Sequence, residues 1–152
     1  ILDIGCGIGD LYPFLRSRFD HVRYSGIDIV PELISAATLR FPDVPFRCED
    51  ILGPLRAGEP RADWALMSMM FNNNLPHDNG AFLRDMVSAA FSLAGRGLAF
   101  NFISSHTSFR DEALAYHNPE MVFGFCLGLT KRLSIFHHYE RADVAVFMYR
   151  PP

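Results

Sequence analysis

The sequence predicts an α/β fold: a three-layer sandwich on an open, mostly parallel sheet with helices on both faces. Three observations predict it. Strand-like apolar runs alternate with stretches of helical periodicity five times before the chain's last two strands. A turn with glycine at alternate positions, Gly5-Cys6-Gly7-Ile8-Gly9, joins the first run to the first helix. Only residues 140–143 separate the final two runs, too few for a parallel crossover, so the sheet ends in an antiparallel hairpin.

Each element has its own signal. Ile1 to Ile4 is an apolar strand carrying Asp3. The glycines after it remove Cβ where the backbone turns tightly against a ligand, and the following helix points free N–H groups there. In that helix Leu11, Phe14 and Leu15 form an inward stripe, Arg16 and Arg18 are left to solvent, and Pro13 is tolerated in the first turn. Residues 22–28 form the second strand, closing on Gly26-Ile27-Asp28. Pro31 opens the second helix, with Leu33, Ile34 and Ala37 inward, and Phe41-Pro42 stops it. Phe46 to Cys48 is a short strand before Glu49-Asp50-Ile51, and the proline- and glycine-bearing residues 52–61 form a loop. Asp63 to Met70 is apolar enough for a strand buried on both faces.

The second half continues the alternation. Residues 71–80 are polar and turn-rich. Phe82, Met86, Ala90 and Leu93 share one helical face, with Leu83 and Val87 beside it and Gly95 as the stop. Gly97 to Ile103 is the fifth strand. A long connection, 104–118, holds His106, Tyr116 and His117, and such a length inside a domain is usually functional. Asn118-Pro119-Glu120 starts a helix reaching about Leu129, with Lys131 and Arg132 at its negative end. The hairpin strands are Leu133 to Tyr139 and Val144 to Tyr149.

Composition narrows the function. Residues 1–152 are expected to form one domain. A formal net charge of −3 with interspersed signs leaves no basic face for nucleic acid. No apolar run approaches the roughly 18 residues of a membrane span. Cys6, Cys48 and Cys126 lack metal-ligand spacing and are expected as small buried residues in a reducing cytoplasm, with no metal. The chain opens inside a strand without methionine, so it is expected to be a fragment lacking its natural N-terminus.

The stretch Asp3-Ile4-Gly5-Cys6-Gly7-Ile8-Gly9 and the Gly26-Ile27-Asp28 strand end, 19 residues past Gly9, carry the functional signal. An acidic residue there suits a ribose diol. The dinucleotide fingerprint would place its third glycine where Asp10 stands. The pattern instead resembles the class I (Rossmann-like, seven-stranded) S-adenosylmethionine-dependent methyltransferases. That resemblance implies strand order 3-2-1-4-5-7-6 with the last strand antiparallel, and S-adenosylmethionine as cofactor. It implies cofactor contacts from Asp3, Gly5, Cys6, Gly7, Gly9, Asp28 and Ile29. It further implies an adenine contact from Asp50 with the backbone of Ile51, Glu49 being the rival for the Asp50 role, and Ser68 and Met69 beside the methionine portion. The residues are specific only over 1–10, 24–30 and 48–52.

A sulfonium methyl is already activated, so such an enzyme needs no fixed triad. Asn72 and Asn73 are the expected contacts to a small-molecule acceptor. His106, Tyr116 and His117 are the candidates should a base be needed, and His77 reads as a solvated loop residue. The acceptor, its reacting atom and the oligomeric state are not encoded in these motifs. Two readings compete: a non-catalytic S-adenosylmethionine-binding module, suggested by the missing N-terminus, and an NAD-dependent oxidoreductase, disfavoured by Asp10 and the hairpin.

Overall fold

A computed structural model describes residues 1–53, 62–137 and 140–151. In chain order its elements are β1 (Leu2–Ile4), α1 (Leu11–Arg18), β2 (Ser25–Asp28), α2 (Pro31–Arg40), β3 (Phe46–Cys48), β4 (Ala62–Met67), α3 (Asn79–Ser92), β5 (Ala94–Ile103), α4 (Pro119–Leu129), β6 (Leu133–His137) and β7 (Asp143–Tyr149). The sheet order is β3-β2-β1-β4-β5-β7-β6. The pairings from β3 across to β5 are parallel, and β7 runs antiparallel to both β5 and β6. This is the predicted class, order and reversed last strand.

The order positions the site. Successive strands step one way from β1 to β3 and the other way from β4 to β5. Right-handed crossovers therefore put α1 and α2 on one face and α3 on the other. The step reverses between β1 and β4, and the crevice at their carboxyl ends is where open α/β sheets bind ligands. Under α3 and α4 lies the main core, including Leu2, Ile4, Ile27, Met67, Val87, Leu98, Phe102, Cys126 and Val146. A smaller cluster of Leu15, Tyr24 and Val44 packs with Tyr12, Phe41 and Phe46.

Local chemistry starts the helices where expected. Asp78 caps α3, its Oδ1 accepting from the amides of Gly80 at 2.8 Å and Ala81 at 3.0 Å. Asn118 caps α4 through the Met121 amide at 2.8 Å, followed by Pro119. Lys131 donates to the Leu127 carbonyl at the other end.

Several details differ from expectation. Strand β2 begins at Ser25, because Tyr24 leaves the ladder to pack against Leu15 and Val44. Phe14 is 55% exposed beneath the Arg18 guanidinium; α1 buries Leu15 and packs Leu11 and Tyr12 instead. Cys6 and Cys126 are buried, but Cys48 is exposed, because it ends the edge strand β3. Gly95 does not stop α3. Leu93 ends it in right-handed conformation and β5 starts at Ala94. The ladder goes from Ala62↔Ala94 to Trp64↔Gly97, an irregularity that absorbs the extra residue on β5. Strand β4 ends at Met67, not Met70, and Ala65 and Met67 are buried while Trp64 and Leu66 are half-buried. Its second face is only partly covered, and Leu11, Leu66, Ala99, Ala145 and Phe147 bound a shallow groove of about 230 Å³ there. The expected loop at 54–61 and the strand end at 138–139 lie outside the described residues. Among the described residues no helix is long and apolar enough to cross a membrane.

Candidate active site

The glycine turn has left-handed backbone at Gly5 (φ +73°), Gly7 (+53°) and Gly9 (+80°). It is pinned to β2, the amides of Gly5 and Cys6 both donating to the Ile27 carbonyl, at 2.8 and 3.0 Å. The three positions are not equivalent. A Cβ at Gly5 would lie 2.8 Å from Met70 Cγ, and one at Gly9 would lie 2.8 Å from Phe46 Cζ. A Cβ at Gly7 would meet nothing within 4 Å. The outer two glycines admit protein, whereas the middle one faces open space. Cys6 fills the gap behind the turn, and burial, with the Asp3 and Asp28 charges, pushes its thiol up to about 12.

Three strand-end carboxylates have different tasks. Asp28 accepts from the Gly7 amide at 2.9 Å and the Val30 amide at 3.0 Å, one on each oxygen, so it ties the turn to β2. Asp50 accepts from the Leu52 amide on Oδ1 at 2.8 Å; among the described residues its Oδ2 has no partner. Asp3 is buried beneath the turn, where the Tyr24 hydroxyl donates to its Oδ2 at 2.6 Å. Burial pushes the Asp3 carboxyl up from 3.8 to about 6, the Tyr24 hydrogen bond opposing and the Asp28 charge adding. Burial and then the Asp3 charge drive the Tyr24 phenol upward.

A cavity of about 480 Å³ opens at the carboxyl ends of β1 to β4. Gly5, Asp28, Ile29, Asp50, Ile51, Ser68 and Met69 all line it. The other expected cofactor residues, Asp3, Cys6, Gly7 and Gly9, lie in or behind the turn. Sequence reasoning missed Met70, His77, Phe82 and Met86, which also line it, as do Ile4, Ile27, Glu49 and Leu52. Phe82 and Met86, four apart, are readable as one helical face, but nothing local says that the first turns of α3 border a cavity. His77 packs edge-on against Phe82, ring centroids 5.6 Å apart, at the exposed rim.

The acceptor-side candidates gather elsewhere. His106 is exposed and its Nε2 meets both oxygens of Glu120, at 2.8 and 3.0 Å. The Tyr116 hydroxyl accepts from the Asp111 amide, with the Arg110 guanidinium over its ring. His117 is buried between Phe71 and Phe102, donates from Nε2 to the Phe71 carbonyl at 3.1 Å, and has its pKa lowered by burial. None of the three lines the cavity. Nor do Asn72 and Asn73: the Asn72 carbonyl accepts from the Ala115 amide, and Asn73 bridges to Leu114. Residues 104–118 thus fold over the asparagine segment and the start of α3. Tyr116 and His117 border a separate depression of about 370 Å³ between α3 and α4.

Comparison with known proteins follows the same lines. Residues 1–90 match the family described as methyltransferase domain. Rv1506c of Mycobacterium tuberculosis, itself assigned provisionally as a methyltransferase, is 31% identical over 91% of this chain and 86% of its own. The malonyl-[acyl-carrier protein] O-methyltransferase of Acetivibrio thermocellus is 45% identical over 53 residues, 34% of this chain and 19% of that protein. Among solved structures, magnesium protoporphyrin IX methyltransferase from Synechocystis PCC 6803 with bound S-adenosylmethionine aligns with a TM-score of 0.72 at 17% identity, over 99% of this chain and 69% of that one.

Proposed function

Since this chain belongs to the class I S-adenosylmethionine-dependent methyltransferase family, we propose that the 480 Å³ cavity holds the methyl donor against the glycine turn and offers its methyl to a small-molecule acceptor. S-adenosylmethionine supplies the activated electrophile. The protein's work is to bind, orient and exclude water. In this reading residues 1–152 act as one domain. Asp28 accepts from the ribose diol while holding Gly7, and Asp50 Oδ2 accepts from the adenine amino group. The Ile51 amide bonds an adenine nitrogen, Ile29 covers the base, and Ser68 and Met69 flank the methionine portion. Asp3, Cys6, Gly7 and Gly9 shape the turn.

One observation carries this reading: residues from four separate strand ends, Gly5, Asp28, Asp50 and Ser68, line one cavity. The open space in front of Gly7 is where a ligand can approach the backbone. For the acceptor we assign the wall made by Met70, Phe82 and Met86, with His77 at its rim. That wall suits an apolar body with its reacting lone pair near the imidazole. Asn72 and Asn73 sit on the same segment but turn toward residues 113–115, so His77 takes precedence over them.

Calorimetric titration tests the cofactor half: S-adenosylhomocysteine should bind and NADH should not. Transfer of labelled methyl to a component of a metabolite extract tests the rest. Binding of S-adenosylhomocysteine with no transfer to any acceptor would overturn the catalytic half of this reading.

A further inference from the structure

Met69 has φ +61°, a left-handed backbone that is strained for an L-residue. Its own side chain does not hold it there, being 65% exposed. The restraint comes from the neighbouring strand: the Met69 amide donates to Oδ1 of Asn101 at 2.7 Å. Asn101 is the polar residue in the run Leu98-Ala99-Phe100-Asn101-Phe102-Ile103. The ladder between β4 and β5 ends at Met67↔Phe100, one residue short of it. The Asn101 side chain therefore takes over as acceptor just where the backbone ladder stops, and the chain leaves the sheet through the left-handed residue. The result shows one residue later, where the Met70 side chain lies on Gly5; a Cβ there would be 2.8 Å from Cγ and 2.9 Å from Sδ. Ser68, Met69 and Met70 all line the cavity, while Asn101 does not.

We propose that Asn101 is a positioning residue for the methyl-donor site: its amide oxygen fixes Met69 in the left-handed conformation and so seats Met70 against the glycine turn. This rests on the cavity being the cofactor site. A strand-borne side chain thereby connects β5, which supplies no wall of the cavity, to the turn that shapes it.

A double-mutant cycle with S-adenosylhomocysteine titrated by calorimetry tests the proposal. Asn101→Ala should weaken binding on the order of tenfold. Glycine adopts positive φ without steric cost. In a Met69→Gly background the same Asn101→Ala change should therefore cost no more than about twofold. Equal losses in the two backgrounds overturn the proposal, and so does full affinity in the Asn101→Ala protein. A residue that merely stabilised the fold would lower the melting temperature and leave the affinity of the folded protein intact, which also overturns it. Should the alanine variant fail to fold, Asn101→Val, with β-propensity but no acceptor, runs the same cycle; folding regained only in the Met69→Gly background supports the proposal. Asp28→Ala reports on the cavity itself. If it binds as tightly as the unaltered protein, both readings fall; if it loses binding while Asn101→Ala does not, only the role of Asn101 falls.

Discussion

Replacing Asp3 by asparagine should change how stability depends on pH, by an amount the structure sets. The Asp3 carboxyl is 3% exposed and titrates at about 6 instead of 3.8, chiefly because burial penalises its charge. A raised pKa means that the folded state holds the proton more tightly than the unfolded chain. The contribution to stability is therefore fully present below 3.8 and lost as pH rises through about 6. A shift of about two units corresponds to roughly 3 kcal/mol in all. Between about pH 4 and pH 7 roughly 2 kcal/mol of it is lost, or roughly 5 °C or more of melting temperature for a chain of this size. The introduced amide could still accept from the Tyr24 hydroxyl, and its added N–H donors shift stability equally at every pH. The informative quantity is thus the difference between the two proteins' melting curves across that range. It should widen in the variant's favour as pH rises. Parallel curves would show that the carboxyl is not buried beneath the turn as described.

Three further outcomes are expected. Asp28→Ala removes the proposed ribose contact and also frees the Gly7 amide, so S-adenosylhomocysteine affinity should fall by on the order of 1–3 kcal/mol by calorimetry. Gly7→Val places a β-branched residue at φ +53° with its Cβ in the open space before the turn. It should abolish binding while circular dichroism stays native-like, and a normal binder would refute the ligand-facing role of the turn. His117, buried and with its pKa lowered by that burial, contributes stability present above the unfolded value near 6.5 and lost as pH falls through its folded value. Acidification from neutrality should then cost the unaltered protein more than His117→Gln, and equal losses in thermal melts would place that imidazole in water.

The features visible in the sequence are those with local causes. The glycine turn, Asp28 and Asp50 announce themselves because tight backbone curvature and strand-end acids are written within a few residues. The antiparallel hairpin follows from a loop too short to cross over. What stays hidden depends on partners far along the chain. Strand β4 ends at Met67 rather than Met70, and the Met69 amide goes instead to Asn101, 32 residues further on. His117 reads as available for use as a base and is instead committed to the Phe71 carbonyl 46 residues earlier. Gly95 carries a helix-stop signal but is absorbed into an irregular ladder. His77 reads as a solvated loop residue because nothing in its neighbourhood shows that α3 starts at the edge of a cavity.

Ile4, Ile27, Ile51 and Met86 belong at once to the main core and to the wall of the cavity. Occupancy and folding are therefore written in the same atoms. Any compound that fills the space adds contacts to the protein's interior and raises its resistance to heat by mass action, about 2.7 kcal/mol at a hundredfold excess over its dissociation constant. Ligands of either kind, donor or acceptor, can accordingly be found by watching the protein melt.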